Sequence, residues 1–414
     1  MALDRDVRRL LRGLDEKLAS RIDIEPTTLD EEDDRSYADY TRTIALIRND
    51  ERPAFFDYQD DLVARMSEIL CNGGTTLLSL PTGAGKTRTA VGAFLEARRQ
   101  LAGLRVCWVA PTYELLEQAR STAVQLWKQF GAAPDMRIAM VDAPVAEADL
   151  WLTTPQTVAS RARRAKPLGE WQGVVFDEAH QMAAPTFHAA VDALRQNNAR
   201  ALVGLSATPG RSSEKETDLL IELFQGNLLT SSRLGLRPVE ELQRRGVLSQ
   251  LRFRPLSKRE PSSLDEIERL RVIYRACRYL AHRARRVLVF TSSVAAAQAL
   301  SLALTQKEVA ANWVSGSMSL NERQSRIQSF ATGMTQVLAN QRLLATGYDC
   351  PAVTDVIIQT KISSTILFEQ IVGRVARGPL TGGARTGTVW QFEDHLLLHG
   401  LPQSYYRYRD YDWT

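Results

Sequence analysis

One loop constrains the fold of this 414-residue chain more than any other stretch. Residues 75–87 read TTLLSLPTGAGKT, which is a short β-prone run, a loop with two glycines and the start of a helical pattern. A strand that leads through such a loop into a helix is typical of a phosphate-binding loop, because backbone N–H groups and the helix N-terminus then face an anion. The stretch therefore predicts a nucleotide site, although Leu80 stands where the general pattern has glycine.

Two side chains at the end of this loop have the chemistry that a nucleotide with Mg²⁺ requires. The Lys86 ammonium group can reach the β- and γ-phosphates, and the Thr87 hydroxyl can bind the metal. The backbone of the loop completes the phosphate cradle. The candidate nucleotide-binding residues of the loop are Thr82, Gly83, Ala84, Gly85, Lys86 and Thr87.

Two adjacent carboxylates follow the apolar run Val174–Phe176. In a P-loop protein, the first carboxylate at such a strand end holds Mg²⁺ together with the loop threonine. Because neighbouring residues on a strand point to opposite sides, the two acids are expected to differ in role. Asp177 is predicted to bind the metal, and Glu178 is predicted to polarise the water that attacks the γ-phosphate.

Apolar runs alternate with helical patterns through both halves of the chain. This alternation predicts an α/β fold with two tandem parallel-sheet domains. Only the first half contains a glycine-lysine loop, which favours a single nucleotide site at the interface of the two domains. The strand candidates are Val106–Ala110, Ile138–Val141, Leu150–Thr153, Val174–Phe176, Leu202–Leu205, Val287–Phe290, Trp313–Val314, Val337–Leu338, Val356–Ile358 and Val389–Gln391.

The overall composition is that of a globular protein, with 44% hydrophobic and 24% charged residues and a net charge of +4. The four cysteines are far apart, which argues against a disulfide framework or a zinc ribbon and favours a reduced compartment. No apolar run is long enough to cross a membrane, and the charged N-terminus does not resemble a signal peptide. We therefore expect a soluble, cytoplasmic protein with no membrane partner.

Residues 177–180, DEAH, together with the loop, resemble superfamily 2 helicases of the DEAD/DEAH-box type, in particular the motors of restriction and repair systems. The likeness runs from about Arg52 to about Asp394. A family P-loop often lacks its first glycine, so Leu80 fits the resemblance. The stretches similar to family motifs are, in order, 110–118 (Ia), 153–156 (Ib), 205–209 (III), 289–292 (IV), 345–351 (V) and 370–377 (VI).

The resemblance implies roles for single residues around ATP. Arg374 and Arg377 would be arginine fingers on one face of a helix, with Gln370 in the same motif. Ser206 and Thr208 would couple the ATP site to the nucleic-acid site by hydrogen bonds. The residues expected near the nucleotide besides the loop are Arg52 and Gln59, which would read adenine, and Gly347 and Asp349, which would lie near the ribose.

The same resemblance implies a nucleic-acid partner, with DNA favoured over RNA. Motif hydroxyls and amides would contact the phosphate backbone, and these candidates are Thr112, Gln118, Thr154 and Ser292. Four basic residues after motif Ib could extend the contact, although arginine-rich helix faces are more often simply solvated. They are Arg161, Arg163, Arg164 and Lys166.

The expected organisation has two motor domains and three smaller parts. These are a helical and acidic extension (1–50), the first RecA-like domain (51–212), a helical linker (213–255), the second RecA-like domain (256–395) and an aromatic, basic tail (396–414). Residues 1–22 form an amphipathic helix that either packs on the protein or docks a partner subunit. The predicted function is an ATP-dependent DNA helicase or translocase. The alternatives are an RNA helicase and an ATP-switched subunit of a protein complex that does not separate strands.

Overall fold

The computed structural model describes residues 5–14, 42–44, 54–130, 136–197, 199–210, 214–345, 347, 350–393, 395–400, 411 and 413. The chain divides into two compact units. Residues 32–241 and 404–414 form the first domain, and residues 1–31 and 242–403 form the second domain. No helix in the described part of the chain is long and apolar enough to cross a membrane.

The first domain is built on an eight-stranded sheet in which only β1 is antiparallel to its neighbour. Its strands are β1 (Arg42–Ile44), β2 (Gly74–Ser79), β3 (Val106–Val109), β4 (Met136–Met140), β5 (Leu150–Thr153), β6 (Gly173–Phe176), β7 (Ala201–Ser206) and β8 (Leu228–Leu229). The strand order is β1-β4-β5-β3-β6-β7-β2-β8. Every residue of β3, β5, β6 and β7 is buried, as expected for parallel strands covered by helices on both faces.

Helices cover both faces of this sheet. They are α2 (Asp57–Asn72), α3 (Lys86–Gln100), α4 (Tyr113–Phe130), α5 (Pro155–Arg163), α6 (Pro185–Gln196) and α7 (Glu214–Leu223). The core contains a stacked tryptophan pair, with the ring centroids of Trp151 and Trp171 at 5.8 Å. The carboxyl ends of parallel strands lie at one edge of the sheet, so the loops after β2, β3, β5, β6 and β7 share that edge.

The second domain has a six-stranded, fully parallel sheet of order β11-β12-β10-β13-β14-β9. Its strands are β9 (Gln250–Pro255), β10 (Val287–Phe290), β11 (Ala311–Val314), β12 (Val337–Asn340), β13 (Asp355–Ile358) and β14 (Thr386–Gln391). Its helices are α9 (Glu266–Ala281), α10 (Val294–Thr305), α11 (Leu320–Thr332), α12 (Thr365–Val372) and α13 (His395–His399), while α8 (Pro238–Arg244) spans the division between the domains. The two sheets confirm the predicted α/β class with tandem parallel-sheet domains.

The N-terminal helix α1 (Arg5–Leu14) belongs to the second domain. Val7, Leu10 and Leu11 are each 1% exposed and join the core cluster that α9 and α10 form under the sheet. Packing on the protein was one of the two expectations for residues 1–22. The apolar face that would have docked a partner subunit is covered by the chain itself over the described residues of this segment.

Three expected segments differ from the structure. Residues 213–255 were expected to be a helical linker, but β8 pairs with β2 in the first sheet and β9 pairs with β14 in the second. These strands are short or polar, so they have no clear apolar run. The segment 1–50 is likewise not one extension, because α1 packs in the second domain whereas β1 pairs with β4 in the first. In the expected tail, α13 belongs to the second domain and Trp413 packs on the core of the first.

Candidate functional site

The phosphate-binding loop joins β2 to α3 through two glycines in left-handed backbone conformations. Gly83 has φ +93° and Gly85 has φ +87°, values that are unfavourable for residues with a Cβ atom. The Ala84 N–H donates to the Pro81 carbonyl at 3.0 Å, which closes the loop, and α3 begins at Lys86. The strand, loop and helix predicted for residues 75–87 therefore place backbone N–H groups at a helix N-terminus, as phosphate binding requires.

The start of α2 supports this loop from behind. The Tyr58 hydroxyl and the Gln59 amide both donate to the Ala84 carbonyl, at 2.9 and 3.2 Å. The Gln59 side-chain oxygen accepts from the Phe56 N–H at 3.2 Å, and Gln59 is only 2% exposed. Both ends of the Gln59 amide are thus bonded within the protein. Its reading of adenine stays a prediction, and the companion Arg52 lies outside the described residues.

Asp177 directly follows β6, and one of its buried carboxylate oxygens is suited to bind a metal ion. Its Oδ1 accepts from the Glu178 N–H at 3.0 Å, whereas its buried Oδ2 has no hydrogen-bond partner among the described residues. Burial and the nearby Glu178 carboxylate raise the pKa of Asp177 from 3.8 to about 7, against the attraction of Lys86. A buried carboxylate oxygen beside a phosphate loop, with the Thr87 hydroxyl at the start of α3, fits a hard cation such as Mg²⁺.

Glu178 differs from Asp177 in its backbone conformation, which the strand pattern did not predict. It lies beyond the strand in a left-handed conformation, with φ +51°, and begins the 3₁₀ turn Ala179–Ala183. The turn, not the alternation along a strand, separates the two carboxylates. A left-handed conformation at a residue other than glycine is uncommon and costs on the order of 1 kcal/mol, so the fold holds Glu178 in this position against its own backbone preference.

His180 links Glu178 to the end of β7. Its Nδ1 lies 3.4 Å from the Glu178 carboxylate and 3.4 Å from the Ser206 hydroxyl. That hydroxyl donates to the Thr208 carbonyl at 2.6 Å, and the Ser206 carbonyl accepts from the Leu80 N–H at 3.3 Å. A continuous set of contacts therefore joins the acid pair, motif III and the phosphate loop. The sequence marked Ser206 and Thr208 as coupling residues but gave His180 no role.

The arginines of motif VI lie in the second domain, and their expected geometry was wrong. They were predicted on one face of a helix, but α12 ends at Val372 and one 3₁₀ turn carries Arg374. Arg377 pairs with Leu248 in a β-bridge, and its carbonyl accepts from the Ser249 hydroxyl at 2.5 Å, which holds the backbone extended. The Arg374 Nε donates to the Gln370 carbonyl at 3.2 Å. Gly347 is buried in the same domain, and Asp349 lies outside the described residues.

Two of the predicted nucleic-acid contacts lie at the carboxyl edge of the first sheet. Thr112 and Thr154 follow the neighbouring strands β3 and β5 and cap helices, because their hydroxyls accept from Leu115 N–H (3.4 Å) and Thr157 N–H (3.2 Å). Each therefore lies at a helix N-terminus, where backbone N–H groups attract phosphate. Gln118 lies further along α4.

The basic residues after motif Ib divide into two groups. The Arg161 guanidinium group donates to the Asp142 and Ala143 carbonyls at 3.1 and 3.2 Å and lies 5.2 Å from the Trp151 ring centroid. These contacts give Arg161 a structural role within the first domain. Arg163, Arg164 and Lys166 are exposed.

Ser292 follows β10 in the second domain and contacts a carboxylate. Its hydroxyl donates to Glu266 Oε1 at 2.9 Å, and its N–H donates to the side-chain oxygen of the buried Gln359 at 3.0 Å. The other Glu266 oxygen accepts from Arg9 of α1 at 3.1 Å. The predicted phosphate contact of Ser292 therefore lies beside an acid–arginine pair that the sequence did not indicate.

Family models cover both domains. The model described as "Type III restriction enzyme, res subunit" matches residues 52–211, and the model described as "Helicase conserved C-terminal domain" matches residues 267–379. The chain is similar to the DNA 3'-5' helicase XPB of Kineococcus radiotolerans, with 29% identity over 157 residues, which is 36% of this chain and 26% of that protein. The IRC3 protein of Saccharomyces cerevisiae is 21% identical over 354 residues, or 78% of this chain and 50% of that protein. The chain thus spans half or less of the length of these curated relatives.

Solved structures share the fold at low sequence identity. Dbp5 of S. cerevisiae bound to RNA and ADP BeF3 has a TM-score of 0.63 and 19% identity, covering 84% of this chain and 87% of that one. The ATP-dependent Type ISP restriction-modification enzyme LlaBIII bound to DNA has a TM-score of 0.56 and 15% identity, covering 82% of this chain and 28% of that one. At these identities the likeness shows two RecA-like domains and nothing about the substrate.

Proposed function

Because this chain belongs to the superfamily 2 helicases, with two RecA-like domains, we propose that it hydrolyses ATP and couples the hydrolysis to movement along DNA. The observation that carries the proposal is the acid pair beside the phosphate loop. Asp177 keeps a buried oxygen without a hydrogen-bond partner among the described residues, and Glu178 is held in a left-handed conformation next to it. A merely structural carboxylate would normally be fully hydrogen-bonded when buried.

Each side chain of this pair then has a distinct task. Asp177 and Thr87 would hold Mg²⁺, which neutralises charge on the phosphates when it is bound. Lys86 would bind the terminal phosphates, and the loop N–H groups would orient them. Glu178 would accept a hydrogen bond from the attacking water and take up its proton. His180, 3.4 Å from the Glu178 carboxylate, orients that group.

We propose that the arginines of the second domain stabilise the charge that develops in the transition state. Arg374 and Arg377 have permanently charged, planar head groups that match the oxygens of a transferring phosphoryl group. Their removal should therefore lower the rate of hydrolysis far more than the affinity for ATP, because the phosphate loop provides most ground-state contacts. An arginine in this role contributes about 10³–10⁵ to kcat.

DNA is proposed over RNA on two grounds. The matched model of the first domain is named after a restriction enzyme subunit, and the bacterial relative XPB is named as a DNA helicase. Contacts of the kind expected from Thr112 and Thr154 are made to the nucleic-acid backbone and do not specify bases. They therefore do not discriminate between DNA and RNA. All four cysteines are free thiols, which fits a reducing compartment, and we place the protein in the cytoplasm.

The test is the ATPase rate with duplex DNA, single-stranded DNA, forked DNA and RNA at fixed salt, for wild type, Glu178→Gln and Arg377→Ala. Both variants should bind ATP and hydrolyse it at least 10³-fold more slowly. Glu170→Gln, an exposed acid in the first domain, is the matched control and should behave as wild type. Wild-type turnover by Glu178→Gln would contradict the water-positioning role. Stimulation by RNA alone would favour an RNA helicase, and a rate independent of nucleic acid would favour an ATP-switched subunit.

A further inference from the structure

The outward face of α1 is a compact basic strip. The buried side of the helix carries Val7, Leu10 and Leu11, and the exposed side carries Arg5, Arg8, Arg9 and Arg12. Four arginines against the single Asp6 give this ten-residue helix a net charge of +3. None of Arg5, Arg8 and Arg12 has an acidic partner within the described ranges, so no described carboxylate neutralises these three side chains. We call these three residues the α1 strip.

Contacts in the second domain place α1, through Arg9 and Gly13, beside motif IV. Arg9 pairs with Glu266 at the start of α9 at 3.1 Å, and a Cβ on Gly13 would lie 2.5 Å from Ile267. The same Glu266 accepts from the Ser292 hydroxyl at 2.9 Å. Because Ser292 follows the carboxyl end of β10, the contact of Arg9 with Glu266 brings α1 to the edge of the sheet where motif IV is predicted to contact nucleic acid.

We propose that the α1 strip is a phosphate-binding surface that extends the nucleic-acid contact of Ser292; this inference rests on the proposed function. Arg5 and Arg12 are seven residues apart, which is about 10 Å along a helix and about three nucleotides of one DNA strand. Guanidinium groups also match phosphate oxygens in geometry. The apolar face of α1 is buried, so the helix cannot insert into a lipid surface as an amphipathic anchor would.

Arg9 has a separate task in this arrangement. The Glu266 carboxylate beside Ser292 would repel an approaching phosphate, and Arg9 offsets this charge by pairing with the other carboxylate oxygen. The docked helix therefore favours anion binding in two ways. It offsets the acid at motif IV through Arg9, and it adds cations around that position through the α1 strip.

The experiment compares two triple variants that change net charge equally. Arg5→Ala/Arg8→Ala/Arg12→Ala removes the α1 strip. The control removes three exposed arginines elsewhere, Arg195, Arg200 and Arg283. The dissociation constant for a duplex DNA oligonucleotide is measured by fluorescence anisotropy between 50 and 200 mM salt, because each lost phosphate contact reduces the slope of log K against log salt by about 0.9.

We expect the strip variant to lose about 2 to 3 from this slope and at least tenfold in affinity, while the control changes little. Thermal unfolding and the ATPase rate without nucleic acid should match wild type for both variants, because these side chains are exposed and outside the ATP site. Lysine at the same three positions should restore most of the slope.

Equal losses of slope and affinity in the two variants would show that the effect comes from net charge alone, and this would overturn the proposal. An unchanged slope in the strip variant would also overturn it. If wild type bound neither DNA nor RNA, the proposed function would fail first and this inference with it. Failure of the proposed function can be distinguished from failure of this inference, because it is seen with the wild-type protein before any variant is compared.

Discussion

Replacing Asp177 with asparagine should stabilise the protein without nucleotide and Mg²⁺, by an amount that grows with pH. The pKa of this carboxyl group is raised from 3.8 to about 7, first by burial and then by the Glu178 charge. A shift of about three pH units corresponds to about 4 kcal/mol at 1.36 kcal/mol per unit.

The sign follows from where the proton is bound. Between about pH 4 and pH 7 the native state keeps the Asp177 proton and the unfolded chain releases it, so unfolding is favoured as pH rises. The contribution of Asp177 to stability is therefore fully present below pH 4, is lost through this window and stays constant above pH 7. Asparagine does not titrate, so the variant should equal wild type at low pH and exceed it most at pH 8.

The assay is urea unfolding followed by tryptophan fluorescence at pH 5, 6, 7 and 8 with a metal chelator. The signal reports mainly on the first domain, whose buried tryptophans are Trp108, Trp127, Trp151 and Trp171. Lys86→Met should enlarge the pH dependence, because Lys86 favours the ionised form, and Glu178→Gln should reduce it. A stability difference between Asp177→Asn and wild type that does not change from pH 5 to pH 8 would refute the reasoning.

Two further substitutions test the loop and the docked helix. Gly85→Ala should abolish ATP binding in calorimetry, because φ is +87° and the new Cβ would lie 2.5 Å from Gln59 Nε2. The control Gly103→Ala, at φ +81° with open space around the new Cβ, should lower the unfolding free energy by only about 1–2 kcal/mol and keep ATP binding. Leu11→Ala should lower the unfolding free energy by about 2–5 kcal/mol in denaturant titrations, whereas Leu236→Ala, at an 85% exposed position, should stay within about 0.5 kcal/mol. ATP binding by Gly85→Ala, or equal stability of the two leucine variants, would contradict the structure.

The central strands could be predicted because their physical cause is local. A strand such as β10 is covered on both faces, so all four of its residues are apolar and the run is visible without any partner. The edge strand β9 could not be predicted in this way. Its residues QLRFRP place Arg252 and Arg254 in solvent, so the sequence resembles a charged loop although it pairs with β14 over six residues.

The site shows the same division between local and distant causes. The phosphate loop and the acid pair are short continuous motifs, and both lie where their sequence indicated. The extended backbone of Arg377 depends on Leu248, and the internal role of Arg161 depends on the carbonyl groups of Asp142 and Ala143. Such partners are distant in sequence, so a pattern of residue types could identify these arginines but not their geometry.

The position of α1 also has a consequence for how the chain is synthesised. The helix is made before α9 and α10, and its binding surface on them is complete only after Thr305, about 290 residues later. At about 5–20 residues per second, the apolar side of α1 has no native partner for roughly 15–60 s on the ribosome. During that interval the first domain can fold around its own sheet. The second domain can fold only when its later segments have been made and can join α1, which already exists. Once residues up to 241 have left the ribosome, the nascent chain should therefore contain the sheet of the first domain and an N-terminal helix that still exposes Val7, Leu10 and Leu11.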